Sequence, residues 1–257
     1  FLAIFVATFA AFYLSPARQS NDSAPVIPTA ISIIQGDAGD ISKFKNSLAR
    51  FGYYQIDPTA KGVRSLFPIG PSMLAVPFVA VALAIDPSIE AFAQEHIAIE
   101  LEALVASFVC ALAGAIFFFF IAREFRSKSL ALFATFVLCF GTSVWSTASR
   151  GLWQHGPLIL MIVSALWLIS KAKDDERYAS LVAVPLALAF IMRPLAAIPI
   201  VFISAYILFF YPRRVIWFAF LAALVATPWL AFNIFAFGKP FPDYYLPSRL
   251  AQTRTFS

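Results

Sequence analysis

Three places in the chain carry side chains whose types and spacing could do chemistry. The densest is the stretch from Gly141 to Pro157, which holds Arg150, Trp153, Gln154 and His155 within six residues. An imidazole can move a proton near neutral pH, and a guanidinium can grip a phosphate or carboxylate in a forked pair. An aromatic belt at a membrane interface with a Gly-Pro turn would account for Trp145 and Trp153. It would not account for Arg150, Gln154 and His155 together. The second place is Asn21-Asp22-Ser23, whose carboxylate could act as a general base. The same three residue types also suit a helix end or a turn. The third is Arg193-Pro194, a cation interrupting an apolar stretch. It can pair with a phosphate or stretch toward the membrane interface. Together these groups suit a substrate carrying a lipid phosphate. No glycine-rich nucleotide loop, H-E-x-x-H or Cys/His metal motif occurs, which argues against a nucleotide-dependent enzyme or an ATP-driven pump.

The elements that must position these groups are set by composition. Hydrophobic residues make up 61% of the 257 residues and charged ones 13%, with a mean hydropathy of +0.81. A soluble domain is nearer half apolar and about one quarter charged. Runs of about 20 apolar residues cross the hydrocarbon, and inside lipid the backbone must satisfy its own hydrogen bonds. The expected fold class is therefore all-α, a polytopic transmembrane helix bundle. The formal net charge of +5 fits basic cytoplasmic loops, and no Lys/Arg-rich block with interleaved aromatics points to nucleic acid. Cys110 and Cys139 sit inside apolar runs and read as small core residues.

The chain reads as a single transmembrane domain over 1–257, in the manner of an N-terminal fragment. Residues 1–14 read as a truncated first membrane helix and 15–96 as an external loop, within which 66–85 is a juxtamembrane or re-entrant helix. Six membrane helices are expected over 97–237, at Ile97–Ala122, Ser129–Ser146, Gly156–Ser170, Ala179–Met192, Pro194–Tyr211 and Val215–Phe237. Residues 238–257 form an external segment. The break at Arg193-Pro194 follows because a helix tends to end before a proline and the whole run is too long for one span.

Orientation follows from three basic clusters: Arg123, Arg126 and Lys128; Lys171, Lys173 and Arg177; Arg213 and Arg214. All three belong in the cytoplasm. If the Ser15–Arg64 loop is external and Leu66–Ile85 also crosses, the clusters fall on the wrong side. Either Leu66–Ile85 does not cross, which its three prolines favour, or the loop is cytoplasmic. The first is the reading adopted, and it puts Asp22, the 150–155 turn and Arg193 on one outer face.

Four segments carry a family resemblance: Ser20-Asn21-Asp22-Ser23-Ala24-Pro25, Phe67-Pro68-Ile69-Gly70 with Val76-Pro77-Phe78, Gly141 to Pro157, and Arg193-Pro194. With them the chain resembles bacterial multi-pass glycosyltransferases of the GT-C fold, in the broad group of protein O-mannosyltransferases and aminoarabinose transferases. It is most similar to a branch with a Trp-Gln-His-Gly-Pro motif, the most specific of the four. The resemblance implies an acidic residue in the first external loop that serves as the base or positions the acceptor, here Asp22, with Asn21 beside it. It implies juxtamembrane helices in that loop, a polyprenyl-phosphate-linked sugar as donor, and a place in the bacterial inner membrane among membrane lipids.

Two departures matter. Related enzymes often carry a second acidic residue where Gln154 and His155 stand, and its absence here weakens the case for a metal site; no cofactor is certain, and a divalent metal stays open. Some carry a lysine where this chain has Leu66, so Arg64 or Lys61 would supply the cation. The expected chemistry is an inverting sugar transfer. Asp22 takes the acceptor proton, Arg193 and Arg150 hold the departing phosphate, and His155, Gln154 and Trp153 bind the donor. The rival readings are a transporter or lipid flippase, a polymerase or ligase of surface polysaccharide, and a structural membrane subunit.

Overall fold

The computed structural model describes residues 2–17, 21–49 and 56–246. Its helices are α1 (Leu2–Tyr13), α2 (Val26–Ile34), α3 (Lys45–Ala49), α4 (Gly70–Ile85), α5 (Ser88–Glu95), α6 (Ile99–Phe125), α7 (Lys128–Phe140), α8 (His155–Ala172), α9 (Arg177–Leu181), α10 (Ala183–Met192), α11 (Ala197–Phe210) and α12 (Val215–Phe237). A small antiparallel hairpin, β1 (Ile56–Thr59) with β2 (Gly62–Ser65), pairs Ile56 with Ser65 and Thr59 with Gly62.

Among the described residues, three helices are long and apolar enough to cross a membrane: Ile99–Phe125, His155–Ala172 and Pro212–Phe237. At about 1.5 Å per residue, α6 reaches about 40 Å, more than the hydrocarbon thickness. The chain is thus a nearly all-helical membrane protein. Leu2–Tyr13, Lys128–Phe140, Arg177–Met192 and Pro194–Phe210 are shorter apolar helices. Large side chains such as Phe133, Phe202, Phe209, Ile216 and Leu224 point outward, where lipid would cover them.

The bundle is organised around α6. Its middle is lined with small residues, and Ala106, Ala111, Ala113 and Ala115 are almost fully buried. Small residues let neighbouring helices approach closely, and α1, α7 and α8 all pack against α6. The main apolar core runs on through α2, α4, α8 and α10, with Ile27, Ile31, Val79, Val105, Val109, Val163 and Ala189 buried in it.

Side-chain contacts give the bundle two distinct ends. At one, Arg123 pairs with Asp174, Lys173 with Glu124 and Arg214 with Glu176. The three basic clusters of the sequence therefore meet at one end. At the other end Arg150, at the turn before α8, donates to the Ser15 carbonyl just after α1 (2.9 Å) and faces Glu100 of α6 (3.5 Å).

The first loop differs from expectation in one respect. It contains the predicted short helices but also the hairpin, which no alternation in the sequence signals. Gly62 sits at φ +110, and a Cβ there would fall 2.2 Å from Asp40 Oδ2. That contact is available because the Asp40 carboxylate is tucked against the hairpin, accepting the Val63 and Ser42 N–H groups and the Ser42 hydroxyl. Burial pushes Asp40 up, but these bonds and nearby Arg64 outweigh it and hold the carboxyl below its ordinary value. Leu66–Ile85, expected as one juxtamembrane segment, forms α4, and the chain then turns 116° into α5. Helix bounds elsewhere shift by a few residues. The largest change is at Ser129–Ser146, where α7 ends at Phe140 and a separate π-helical turn spans Val144–Ala148. Phe1, Ser20 and the tail 247–257 lie outside the described residues.

Candidate functional site

The Gly141–Pro157 stretch folds as an irregular crossing between α7 and α8. Irregular backbone at membrane depth needs partners inside the protein, and one side of α6 supplies them. The Ser107 hydroxyl donates to the Ser149 carbonyl at 2.8 Å, and the Cys110 thiol lies 3.3 Å from the Ala148 carbonyl. Nearer the end of the bundle the Glu102 carboxyl accepts the Leu152 N–H at 2.9 Å. Residues 102, 107 and 110 thus pair with 152, 149 and 148 in antiparallel order and fix the turn from below.

His155 opens α8, and Arg193 ends α10 in extended backbone ahead of Pro194. Arg193 Nη1 lies 2.5 Å from His155 Nδ1 and 3.0 Å from Nε2. A guanidinium can only donate, so a hydrogen bond between the two needs a bare imidazole nitrogen as acceptor. Trp153 packs edge-on against the same imidazole, with ring centroids 4.5 Å apart. Two donors here, Trp153 Nε1 and Arg150 Nε, are buried and meet no acceptor among the described residues. Buried polar groups are normally satisfied, so such donors mark a place where an acceptor belongs.

Asp22 lies in a 3-10 turn, Asn21–Ser23, in which Asn21 is exposed, Asp22 half-buried and Ser23 buried. The Ser23 hydroxyl lies near enough to Glu102, the acid that holds Leu152, to favour its charged form. The Phe67–Gly70 segment comes to the same end: a Cβ on Gly70 would lie 2.8 Å from the Ile191 carbonyl and 2.6 Å from Met192 Sδ. Only glycine lets the start of α4 lie this close to the end of α10.

Other expected site residues have different company. Gln154, 1% exposed, exchanges hydrogen bonds with the Tyr244 hydroxyl at 2.8 and 3.0 Å. It anchors the segment after α12 in place of an open binding role. Arg64, 3% exposed, donates to the Asp37, Ala38 and Lys61 carbonyls. It ties the first loop together, and burial pushes its guanidinium below the ordinary arginine value. Lys61 rests over the Phe235 ring, 3.9 Å from its centroid. Neither cation is drawn to the His155–Arg193 pair by any contact among the described residues.

Sequence reasoning missed Glu102, Ser23, Tyr244 and Tyr245. A carboxylate in the first turn of an apolar span was a visible signal for Glu102. Nothing in the spacing pairs Tyr244 with Gln154. Tyr245 donates to the Ile191 carbonyl at 3.0 Å, and burial, with Tyr244 adjacent, pushes its phenol up and keeps it protonated. A divalent metal does not fit these residues: the one imidazole already faces a guanidinium, and no group of three or more His, Cys, Asp or Glu comes together among the described residues.

No family model, no curated protein and no solved structure matches the chain.

Proposed function

We propose that this protein is a membrane glycosyltransferase of the GT-C type, moving a sugar from a polyprenyl-phosphate carrier to an acceptor hydroxyl at the outer membrane face. The observation that carries this is the donor-rich end of the bundle: Arg193 on a neutral imidazole, with Trp153 Nε1 and Arg150 Nε lacking acceptors. Donors without acceptors suit an anion, and a phosphate esterified to a lipid reaches such a place from the bilayer.

In this reading α1, α6, α7, α8, the α9–α10 pair, α11 and α12 cross the bilayer, and α2 to α5 lie with the hairpin on the outer face. The clustered basic loops then face the cytoplasm. Asp22 removes the proton of the acceptor hydroxyl as its oxygen forms a bond to the anomeric carbon. The bond from that carbon to the phosphate oxygen breaks, and the phosphate leaves with the electron pair. Arg193, with Trp153 and Arg150, stabilises the charge that grows on it. His155 orients Arg193 and faces the donor. Gln154, held by Tyr244, shapes the wall, and Arg64 and Lys61 have no direct part.

The test is reconstitution in proteoliposomes with a polyprenyl-phosphate sugar and analysis of the lipid products. Release of sugar-free polyprenyl phosphate, dependent on an acceptor, is expected. Movement of intact donor across the bilayer without its chemical conversion would instead make the protein a transporter or flippase.

A further inference from the structure

We propose that the basic end of the bundle binds a phospholipid of single net negative charge, its headgroup in a cleft between the ends of α6 and α8 and one acyl chain in a groove between α8 and α11. The cleft, of about 640 Å³, has Phe119, Arg123 and Arg126 on the α6 side and Trp167, Lys173 and Asp174 on the α8 side, with Glu124 also lining it. Its deeper part is apolar, the Phe119 and Trp167 rings standing 6.1 Å apart. A second hollow of about 330 Å³, walled by Leu166, Ile169, Phe202 and Ile203, borders the same Glu124 and Lys173. The two hollows therefore meet at the Lys173–Glu124 ion pair. Phe202 is 72% exposed, so the groove opens sideways, where the acyl chains of a bilayer lie.

The depth suits a headgroup. Trp and Tyr gather at the level of lipid headgroups, and Tyr178, Tyr206 and Tyr211 pack together at this end. Lys171 Nζ stands 5.6 Å from the Trp167 ring and 5.7 Å from the Tyr178 ring. The charge suits one phosphodiester. Arg123 and Lys173 are paired with Asp174 and Glu124, while Arg126 has no ion pair among the described residues. Three cations against two carboxylates leave the cleft one positive charge over, and basic pockets between membrane helices bind anionic headgroups. The two carboxylates disfavour a doubly charged phosphate and can accept from headgroup hydroxyls. Arg126 itself ends α6 in the left-handed region, at φ 51, which glycine adopts freely and arginine only at a cost. The backbone favours glycine there, so the arginine serves through its side chain.

The experiment uses the full chain in detergent, stripped of lipid and titrated with phosphatidylglycerol, phosphatidylcholine or soluble glycerol 3-phosphate. Native mass spectrometry counts retained lipid, and the midpoint of thermal unfolding reads stability. One phosphatidylglycerol should be retained and should raise the midpoint. Phosphatidylcholine should bind about tenfold more weakly, and glycerol 3-phosphate, which has no chain for the groove, should not compete. Arg126→Gly should weaken phosphatidylglycerol about tenfold, to the level of phosphatidylcholine. Its lipid-free midpoint should be unchanged or higher, because the left-handed residue is then glycine. Lys128→Gln removes the same charge close by in sequence but outside the cleft lining, and should leave lipid binding unaltered. Equal retention of the two lipids by the parent, displacement by glycerol 3-phosphate, or equal weakening by Arg126→Gly and Lys128→Gln would each overturn the site. None of these readouts depends on sugar transfer, so the lipid site and the proposed activity stand or fall separately.

Discussion

The two ends of the helix bundle hold their charges in opposite ways. At the end where Arg123, Lys173 and Arg214 gather, each of these cations meets a carboxylate; Asp174 is 65% exposed and Glu176 54%, with Glu124 at 21%. Exposed pairs of this kind contribute about 0–1 kcal/mol each, so this end gives the chain its orientation and little of its stability. At the opposite end Arg193 meets an imidazole, Arg150 meets a backbone carbonyl, and the buried acid Glu102 meets an N–H. Arg150 also faces Glu100, while Trp153 Nε1 and Arg150 Nε meet no acceptor among the described residues. A membrane protein can tolerate unneutralised polar groups at a working surface, where a ligand completes them. Under the proposed function, the first end orients the protein and the second carries the chemistry.

The comparison can be broken by substitutions at either end. The largest effect expected is from Asp22→Asn, which should lower transfer by about 10²- to 10⁴-fold, the usual scale for a lost general base, with membrane insertion intact. Activity assays alongside a protease-protection check of insertion would measure this, and full activity would remove Asp22 from its role. Next, Arg193→Ala should lower kcat by about 10²- to 10³-fold, as for the loss of one charge-stabilising donor. Arg193→Lys should restore only part of this, since an ammonium lacks the planar fork. Smaller still, Tyr244→Phe removes the hydroxyl that Gln154 both donates to and accepts from. It should cost about 1–3 kcal/mol through the buried amide left unpaired, read as a lower midpoint of thermal unfolding in detergent. The smallest effect belongs to the basic end: Arg123→Ala should change stability by no more than about 1 kcal/mol and leave transfer unaltered.

Much of this architecture was legible in residue pattern alone. Apolar runs with few charges marked the helices, and the break at Arg193-Pro194 appears as a helix end in extended backbone followed by a new helix. The gathering of the basic loops followed from their alternation between spans. What could not be read was long-range pairing. Gln154 looked like a binding residue because its type permits it, and only the fold shows that Tyr244, 90 residues on, takes its amide. Arg64 looked like a free cation near the site, yet its donors serve carbonyls of its own loop. Glu102 was readable as a carboxylate in an apolar span, but its partner Leu152 lies 50 residues away in sequence, and no local pattern names it. The hairpin was missed because four-residue strands around Pro58 and Gly62 carry no alternation long enough to register.

The proposed function requires Asp22 and His155 to stand on the same outer face of the membrane. It is tested most directly by cysteine labelling of Asp22→Cys and His155→Cys in oriented membrane vesicles, with an impermeant maleimide added from one side at a time. The account predicts that both positions label from the outer side, and that polyprenyl phosphate slows labelling at position 155. Labelling of the two positions from opposite sides would contradict it.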